Sequence, residues 1–324
     1  MYHIARRLAI TLSLSSVILG AKAQVAPTDS LGETRRDSVR RLDEVVVYAR
    51  QMLGSKFEAR NRTGSAYYLS PKELKKFGYT DISRMLRAVP GVNIYEEDGY
   101  GLRPNISLRG TKAERSERIS LMEDGILAAP APYAAPAAYY FPNVARMYAI
   151  EVLKGSSQVQ YGPFTTGGAV NMVSTPIPKS FQAGLRTSYG SFGTFNTYAH
   201  LGSDHKHVGY LVEYLRYQSK GFKKDEPNER TGFYRNDVVG KLRIHSDEDG
   251  EIRQALELKL GFSNEHSDES YVGLSEQDFA SRPYYRYRGA QMDQLQTRHT
   301  QTALTHLVAF TGGLKVTTSA YYNY

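Results

Sequence analysis

Neither cysteine nor tryptophan occurs among the 324 residues. The missing cysteine removes disulfide frameworks, thiolate metal sites and cysteine nucleophiles together. Also lacking is any apolar run of about 18 residues, so no mature helix is long enough to cross a bilayer. Strands that cross one stay open, because barrel strands alternate and never build such a run. What is present is the make-up of a folded chain: 41% hydrophobic, 23% charged, 25 tyrosines and 28 glycines. Global disorder and low-complexity fibre are therefore excluded. The length suits about two ordinary domains.

Residues 1–23 carry Arg6 and Arg7, then a twelve-residue run from Leu8 to Leu19, then small Ala21 and Ala23 in an A-x-A arrangement. This is the order of a secretory signal peptide. Cleavage after Ala23 takes away Arg6, Arg7 and Lys22, lowering the formal net charge from +8 to +5. A modest positive balance suits an anionic ligand or lipopolysaccharide phosphates, or simply a solvated surface. Export argues against nucleic acid as a partner.

Residues 24–42 are polar, rich in Arg and Asp, and without hydrophobic period; they read as a flexible tether. Asp43, Glu44, Val45, Val46, Val47, Tyr48 and Ala49 follow, a β-prone run at the end of that arm. A lone strand so placed is suited to be added to another protein's sheet edge, or it is the first strand of the next domain.

Residues 50–178 show mixed α/β grammar. Ser70-Pro71 opens a helix over 71–76, and Thr80 is expected to cap a second over 81–88, stopped by Pro90-Gly91. Strands are expected at 92–95, 106–109, 119–123, 148–153 and 169–174, with an Asp124-Gly125 turn and a Gly-rich hairpin over 155–168. Two prolines, Pro176 and Pro178, mark a domain boundary.

Residues 179–324 alternate instead. Tyr234, Val238, Leu242 and Ile244 share one strand face; Arg235, Asp237, Lys241, Arg243 and His245 share the other. A soluble antiparallel sandwich alternates too, but export and tyrosines banked near strand ends favour an outer-membrane barrel. Connections near 190–193, 202–207, 219–231, 246–251, 264–298 and 311–313 alternate long and short after the first. About seven strands result. A lumen that holds a plug needs about 22 strands, so the chain reads as the N-terminal part of a larger protein or as a truncated product.

Five local motifs carry a resemblance: Leu86-Arg87-Ala88-Val89-Pro90-Gly91-Val92, Leu108-Arg109-Gly110, Leu121-Met122-Glu123-Asp124-Gly125, Ile150-Glu151-Val152-Leu153-Lys154-Gly155, and Tyr161-Gly162 through Gly167-Gly168-Ala169-Val170-Asn171. In this order they resemble the plug domain of TonB-dependent outer-membrane receptors. The resemblance implies an α/β plug followed by antiparallel transmembrane barrel strands, with Asp43 to Ala49 as the TonB box. It implies TonB and its inner-membrane energising complex as partners, outer-membrane lipid around the barrel, and a monomer. Within the family the chain is most similar to receptors for ferric dicitrate, through Ala131-Pro132-Tyr133, Arg115, Arg118, Gly273-Leu274-Ser275 and Arg282-Pro283-Tyr284-Tyr285-Arg286. The signalling domain of such receptors does not precede the box here.

An anionic ferric chelate needs fixed cations, and Arg offers carboxylates a planar fork. Arg115, Arg118, Tyr133, Arg282 and Arg286 are thus the expected ligand residues, with Arg288 nearby. Receptors for another siderophore or haem, and a passive porin or adhesion barrel, are the rival readings. Arg109, Glu151 and Lys154 are expected to anchor plug to barrel wall, since buried charges demand partners. Gly162, Gly167 and Gly168 lack the Lys and Ser/Thr of a phosphate loop. His205 and His207 read as a solvated pair, and Tyr139-Tyr140-Phe141 as apical packing. No catalytic constellation, cofactor or metal cage is legible.

Overall fold

The computed structural model describes residues 50–77, 80–128, 132, 134–162, 166–224, 231–247 and 250–324, which fall in one compact unit. The signal peptide, the tether, Asp43 to Ala49 and Tyr133 lie outside them.

The first half starts with α1 (Lys56–Asn61), β1 (Ser65–Leu69), α2 (Pro71–Phe77) and α3 (Ile82–Leu86). Ser70 and Glu73 close a reciprocal box at the start of α2: Ser70 N donates to Glu73 Oε2 at 2.9 Å, and Glu73 N to Ser70 Oγ at 3.4 Å. The cap of α3 is Asp81 rather than Thr80; its Oδ1 accepts from Ser83 N at 2.7 Å. A carboxylate there also suits the positive end of the helix. The hairpin β2 (Val92–Tyr95) and β3 (Asn105–Leu108) stands apart from a five-stranded sheet. That sheet combines β4 (Ile119–Glu123), β5 (Ile126–Leu127), β6 (Met147–Lys154) and β7 (Gly168–Ser174) with β1, in the order β1-β6-β7-β4-β5. Only β4 and β7 run parallel. Asp124, at φ 55, and Gly125, at φ 76, make the tight turn between β4 and β5. The Gly-rich link from β6 to β7 is a hairpin connection, but it winds a 3-10 turn over Ser156–Tyr161. Leu86, Ile106, Leu108, Ile119, Leu121, Ile150, Val170 and Met172 fill the core of this half.

The second half is a wall of seven antiparallel strands, each paired with the next: β8 (Gln182–Gly190), β9 (Thr194–Asp204), β10 (Val208–Ser219), β11 (Phe233–His245), β12 (Ile252–Ser267), β13 (Leu295–Phe310) and β14 (Lys315–Asn323). One end carries the turns at 205–207, 246–251 and 311–314; the other carries long connections at 220–232 and 268–294. The last of these contains α4 (Glu276–Ser281). Continuous ladders reach Ser267 and Leu295, so β12 and β13 run further into that connection than expected.

Burial decides what kind of wall this is. Tyr234, Val238, Leu242 and Ile244 are 39%, 42%, 45% and 55% exposed, whereas Arg235, Asp237, Lys241 and Arg243 are 2–3% exposed. A soluble sandwich would bury the first set and wet the second. Here the charged face is covered by the first half of the chain and the apolar face looks outward, as in a barrel.

Candidate functional site

The two halves meet along a seam of buried charge. Near its middle, Glu123 ends β4 and is fully buried. Arg146 grips both its oxygens, Nη1 to Oε1 at 2.6 Å and Nη2 to Oε2 at 2.9 Å. From the wall, Lys259 reaches Glu123 Oε1 at 2.7 Å and Asp124 Oδ2 at 2.6 Å. Arg146 Nε lies 3.5 Å from Asp237, which also accepts from Arg235 Nε at 2.9 Å and Ser263 Oγ at 2.6 Å. Arg235 in turn donates to Phe141 O across the seam at 2.7 Å. Tyr140 gives its hydroxyl to this network and stacks on His299 at 3.6 Å between centroids. Tyr140 is thus a seam residue rather than apical packing, while Tyr139 is half exposed.

Such a network stands only because every charge is answered. Burial by itself pushes the Glu123 carboxyl up; Arg146 and Lys259 outweigh it and bring the group down to about 2. Asp124 is likewise held well below the ordinary value, burial being outweighed by Lys259, Lys241 and Arg50.

Toward the turn end, Lys241 donates to Ser174 Oγ at 2.6 Å and Thr175 O at 2.5 Å, and Arg50 pairs with Glu257 at 2.7 Å. Toward the loop end, Arg103 binds Glu265 of β12 and Glu269 of the long connection, and its backbone N–H donates to Asp98 Oδ2 at 2.8 Å. Arg103 serves all three carboxylates, and the second guanidinium nearby, Arg235, lies 3.8 Å from Glu265 and is shared with Asp237. Burial first, with Asp98 adding to it and Arg103 opposing, pushes Glu269 up to about 7. Arg103 itself is held more firmly protonated: burial works against the charge, and Glu265 and Glu269 outweigh it. The two directions agree once Glu269 is seen as the least well answered of the three acids. Beside them Tyr100 packs on Phe233 and Phe222, with centroids 4.7 and 5.6 Å away.

The residues expected as anchors stay within the first half. Glu151 accepts from Met52 N at 2.6 Å, from Leu53 N and Gly54 N at 2.9 Å, and from Asn171 Nδ2 at 2.9 Å. It clamps the segment that follows Asp43 to Ala49. Lys154 Nζ donates to Pro90 O at 2.6 Å. Burial lowers its pKa, and the neighbouring Arg109 lowers it further. Arg109 is exposed at φ 55, and among the described residues no strand of the wall answers it. Hydrogen-bond capacity spent locally cannot also be spent across the seam.

Of the expected ligand residues, Arg115 is exposed, at φ 52, with its N–H on Asn105 Oδ1 at 2.6 Å. Burial pushes the Tyr271 phenol of the long connection up, with Arg103 and, more weakly, Arg115 opposing it. Arg118 is exposed and turned to Glu117, with Nε 3.4 Å from Oε1. Arg282 is exposed, 2.9 Å from Asp278 and 4.0 Å over the Tyr285 ring. Arg286 differs: it is buried and its fork holds the carbonyls of Asp268, Ala290 and Asp293. It braces the long connection from within. His207 and His245 sit at the turn end, 6.5 Å apart, and no metal-holding group of His, Asp and Glu occurs among the described residues.

The charges that close the seam were visible as an inward face on β11, but their partners were not. A signal did exist in the chain: Glu123-Asp124 is an acidic pair at the end of a strand that is otherwise apolar but for Ser120. Such a pair is costly to bury unless cations face it.

Residues 58–169 match the family model described as the TonB-dependent receptor plug domain. The unliganded ferric citrate transporter FecA superposes with a TM-score of 0.71 at 20% identity, over 84% of this chain and 41% of that one. The ferric yersiniabactin uptake receptor FyuA from Yersinia pestis gives 0.62 at 19% identity, over 82% and 42%. The siderophore receptor PirA from Acinetobacter baumannii gives 0.60 at 18%, over 82% and 40%. The chain thus spans about two fifths of the length of these receptors. It carries a TonB-dependent receptor plug domain followed by seven antiparallel strands of the barrel wall.

Proposed function

We propose that the chain belongs to an outer-membrane receptor that takes up an anionic ferric chelate, of the ferric dicitrate kind, into the periplasm. A periplasm-spanning TonB partner, driven by its inner-membrane complex, would pair with Asp43 to Ala49 by strand addition and draw on the plug. The observation that carries this reading is the seam. A passive channel has no use for a globular stopper closed against its wall by ion pairs as buried as Glu123, Arg146, Asp237 and Lys259. A stopper that must leave and return does: charge pairs re-form in one register only.

The chelate class is supported by exposed guanidinium groups at the loop end, Arg115 and Arg282, which match carboxylate geometry. It is supported too by neighbours named for ferric citrate, ferric yersiniabactin and siderophores. The long connection, braced by Arg286, would face the cell exterior and the short turns the periplasm. No ligand bond is broken, so uptake asks for no nucleophile or general base.

The test is deletion of 43–49 in the complete protein, expressed in cells. Accumulation of ferric citrate should stop while surface binding persists. Accumulation that continues would favour the passive channel. Arg115→Ala and Arg118→Ala should each weaken ferric dicitrate binding; unchanged affinity would detach the residue from the ligand site.

A further inference from the structure

On the outward face of the wall, apolar side chains give way to polar ones along a single cross-strand row. Arg216, Asn236, Asn264 and Arg298 are successive partners on β10, β11, β12 and β13. The next outward row toward the turn end is Tyr214, Val238, Phe262 and Thr300; beyond it lie Val212, Gly240, Leu260 and Thr302, and then Tyr210, Leu242, Leu258 and Leu304. Toward the loop end the outward row is Gln218, Tyr234, His266 and Gln296. The boundary falls at the same register in β10, β11 and β12, and on β13 polar side chains continue through Thr300 and Thr302 before Leu304.

Three members of the row, Arg216, Asn236 and Asn264, are joined by side-chain hydrogen bonds. Arg216 Nη1 donates to Asn236 Oδ1 at 2.9 Å, and Asn236 Nδ2 donates to Asn264 Oδ1 at 2.9 Å. The Arg216 guanidinium lies 4.7 Å over the Tyr234 ring, whose other neighbour is His266, stacked at 5.4 Å. Gln218 Oε1 accepts from Arg216 Nε at 3.0 Å and from Nη2 at 2.8 Å. Asp268 is taken by His266 at 3.0 Å. Among the described residues no carboxylate pairs with Arg216 or Arg298. The strand acids Glu213, Asp237, Glu257 and Glu265 point inward and are buried, and Asp204 at the end of β9 is taken by Arg243 and His245. Two guanidinium groups therefore stand at the upper edge of an apolar band without an anion.

We propose that this row binds the phosphorylated headgroup of a membrane lipid, with Arg216 and Arg298 as its two cationic ends. Three strand spacings put these ends about 14 Å apart, a span suited to two phosphates on one headgroup or on neighbours. The Arg216 fork, held over the Tyr234 ring, spends one N–H each from Nε, Nη1 and Nη2 on Gln218 and Asn236. A phosphate would take its remaining N–H groups or displace the neutral Gln218 amide, since a charged acceptor makes the stronger bond. The apolar band beneath would receive the acyl chains. The inference rests on reading the wall as membrane-embedded.

The test uses the complete protein in non-ionic detergent, with lipid retention read by native mass spectrometry. The probes are bis-phosphorylated lipid A, its dephosphorylated form, and inorganic phosphate. Lipid A should be retained, and Arg216→Gln/Arg298→Gln should weaken retention about tenfold or more, as expected for lost charge-assisted bonds. Arg216→Lys/Arg298→Lys should fall between, because charge is kept and the fork is lost. Equal retention by wild type and the Gln pair would overturn the proposal. So would equal retention of the dephosphorylated lipid, or a preference for inorganic phosphate over lipid A. Cell fractionation separates the two readings. A protein recovered in the aqueous phase overturns the membrane wall itself; one that stays with the membrane while the Gln pair retains lipid overturns only this site.

Discussion

Lys259 sets its ammonium 2.7 Å from Glu123, a residue 136 positions earlier in the chain, and thereby joins the wall to the plug. Both groups are nearly inaccessible to solvent. At such a site the attraction itself is a smaller matter than the desolvated charge left behind when one partner goes.

Removing the Lys259 charge should therefore be costly. Lys259→Met keeps the stem and takes the wall's cation away from both Glu123 and Asp124, leaving two buried carboxylates to Arg146 and Ser174. We expect a loss of about 3–5 kcal/mol, read as a lower denaturant midpoint for the detergent-solubilised protein. Pairing it with Glu123→Gln should restore part of the loss, with a coupling of about 0.5–3 kcal/mol. Simple additivity would show that the two groups act apart.

Acid should open the seam. Glu123 is depressed to about 2 and Asp124 lies well below its ordinary value. For depressed carboxyls the unfolded chain binds more protons, so their contribution is complete above about 4.5 and fades as pH falls toward 2. Denaturant midpoints measured between pH 6 and pH 2.5 should fall, and Glu123→Gln should flatten that slope.

Glu269 should give the opposite sign. Its carboxyl is raised to about 7, so the folded state holds a proton that the unfolded chain has released. Its contribution is present below the ordinary value of 4.5 and is lost as pH rises through 7. Amide exchange in residues 96–104 should quicken between pH 5.5 and 8 beyond the intrinsic rate change. Glu269→Gln should remove the excess, since the amide has no charge to reveal.

Two arginines of one long connection should part company. Arg286→Ala leaves the carbonyls of Asp268, Ala290 and Asp293 without their shared donor. Limited proteolysis should then cut within 268–294 several times faster. Arg282→Ala removes an exposed group and should leave the cleavage rate unchanged while weakening ferric dicitrate binding.

What was legible in the chain followed from local rules. Strands at 92–95 and 119–123 stand where β-branched and aliphatic residues lie between turn signals, and Asp124-Gly125 forms the turn those two residues favour. The alternation of β11 and β12 was equally plain. Less legible was the use of the polar face. Glu151 looked like a residue waiting for the wall, yet the backbone amides of 52–54 were nearer. Arg286 looked like a ligand group, yet carbonyls of its own connection enclosed it.

By itself the sequence determined the parts: a plug grammar and strands whose side chains alternate, both properties carried by neighbours within a few positions. Only the tertiary structure decided which face of the wall turned outward and which charges met. Those outcomes depend on where the plug sits against the wall and on the register of each ladder. A contact such as Lys259 with Glu123 spans 136 positions, and its partners are chosen by that geometry and by the cost of burying any charge unanswered.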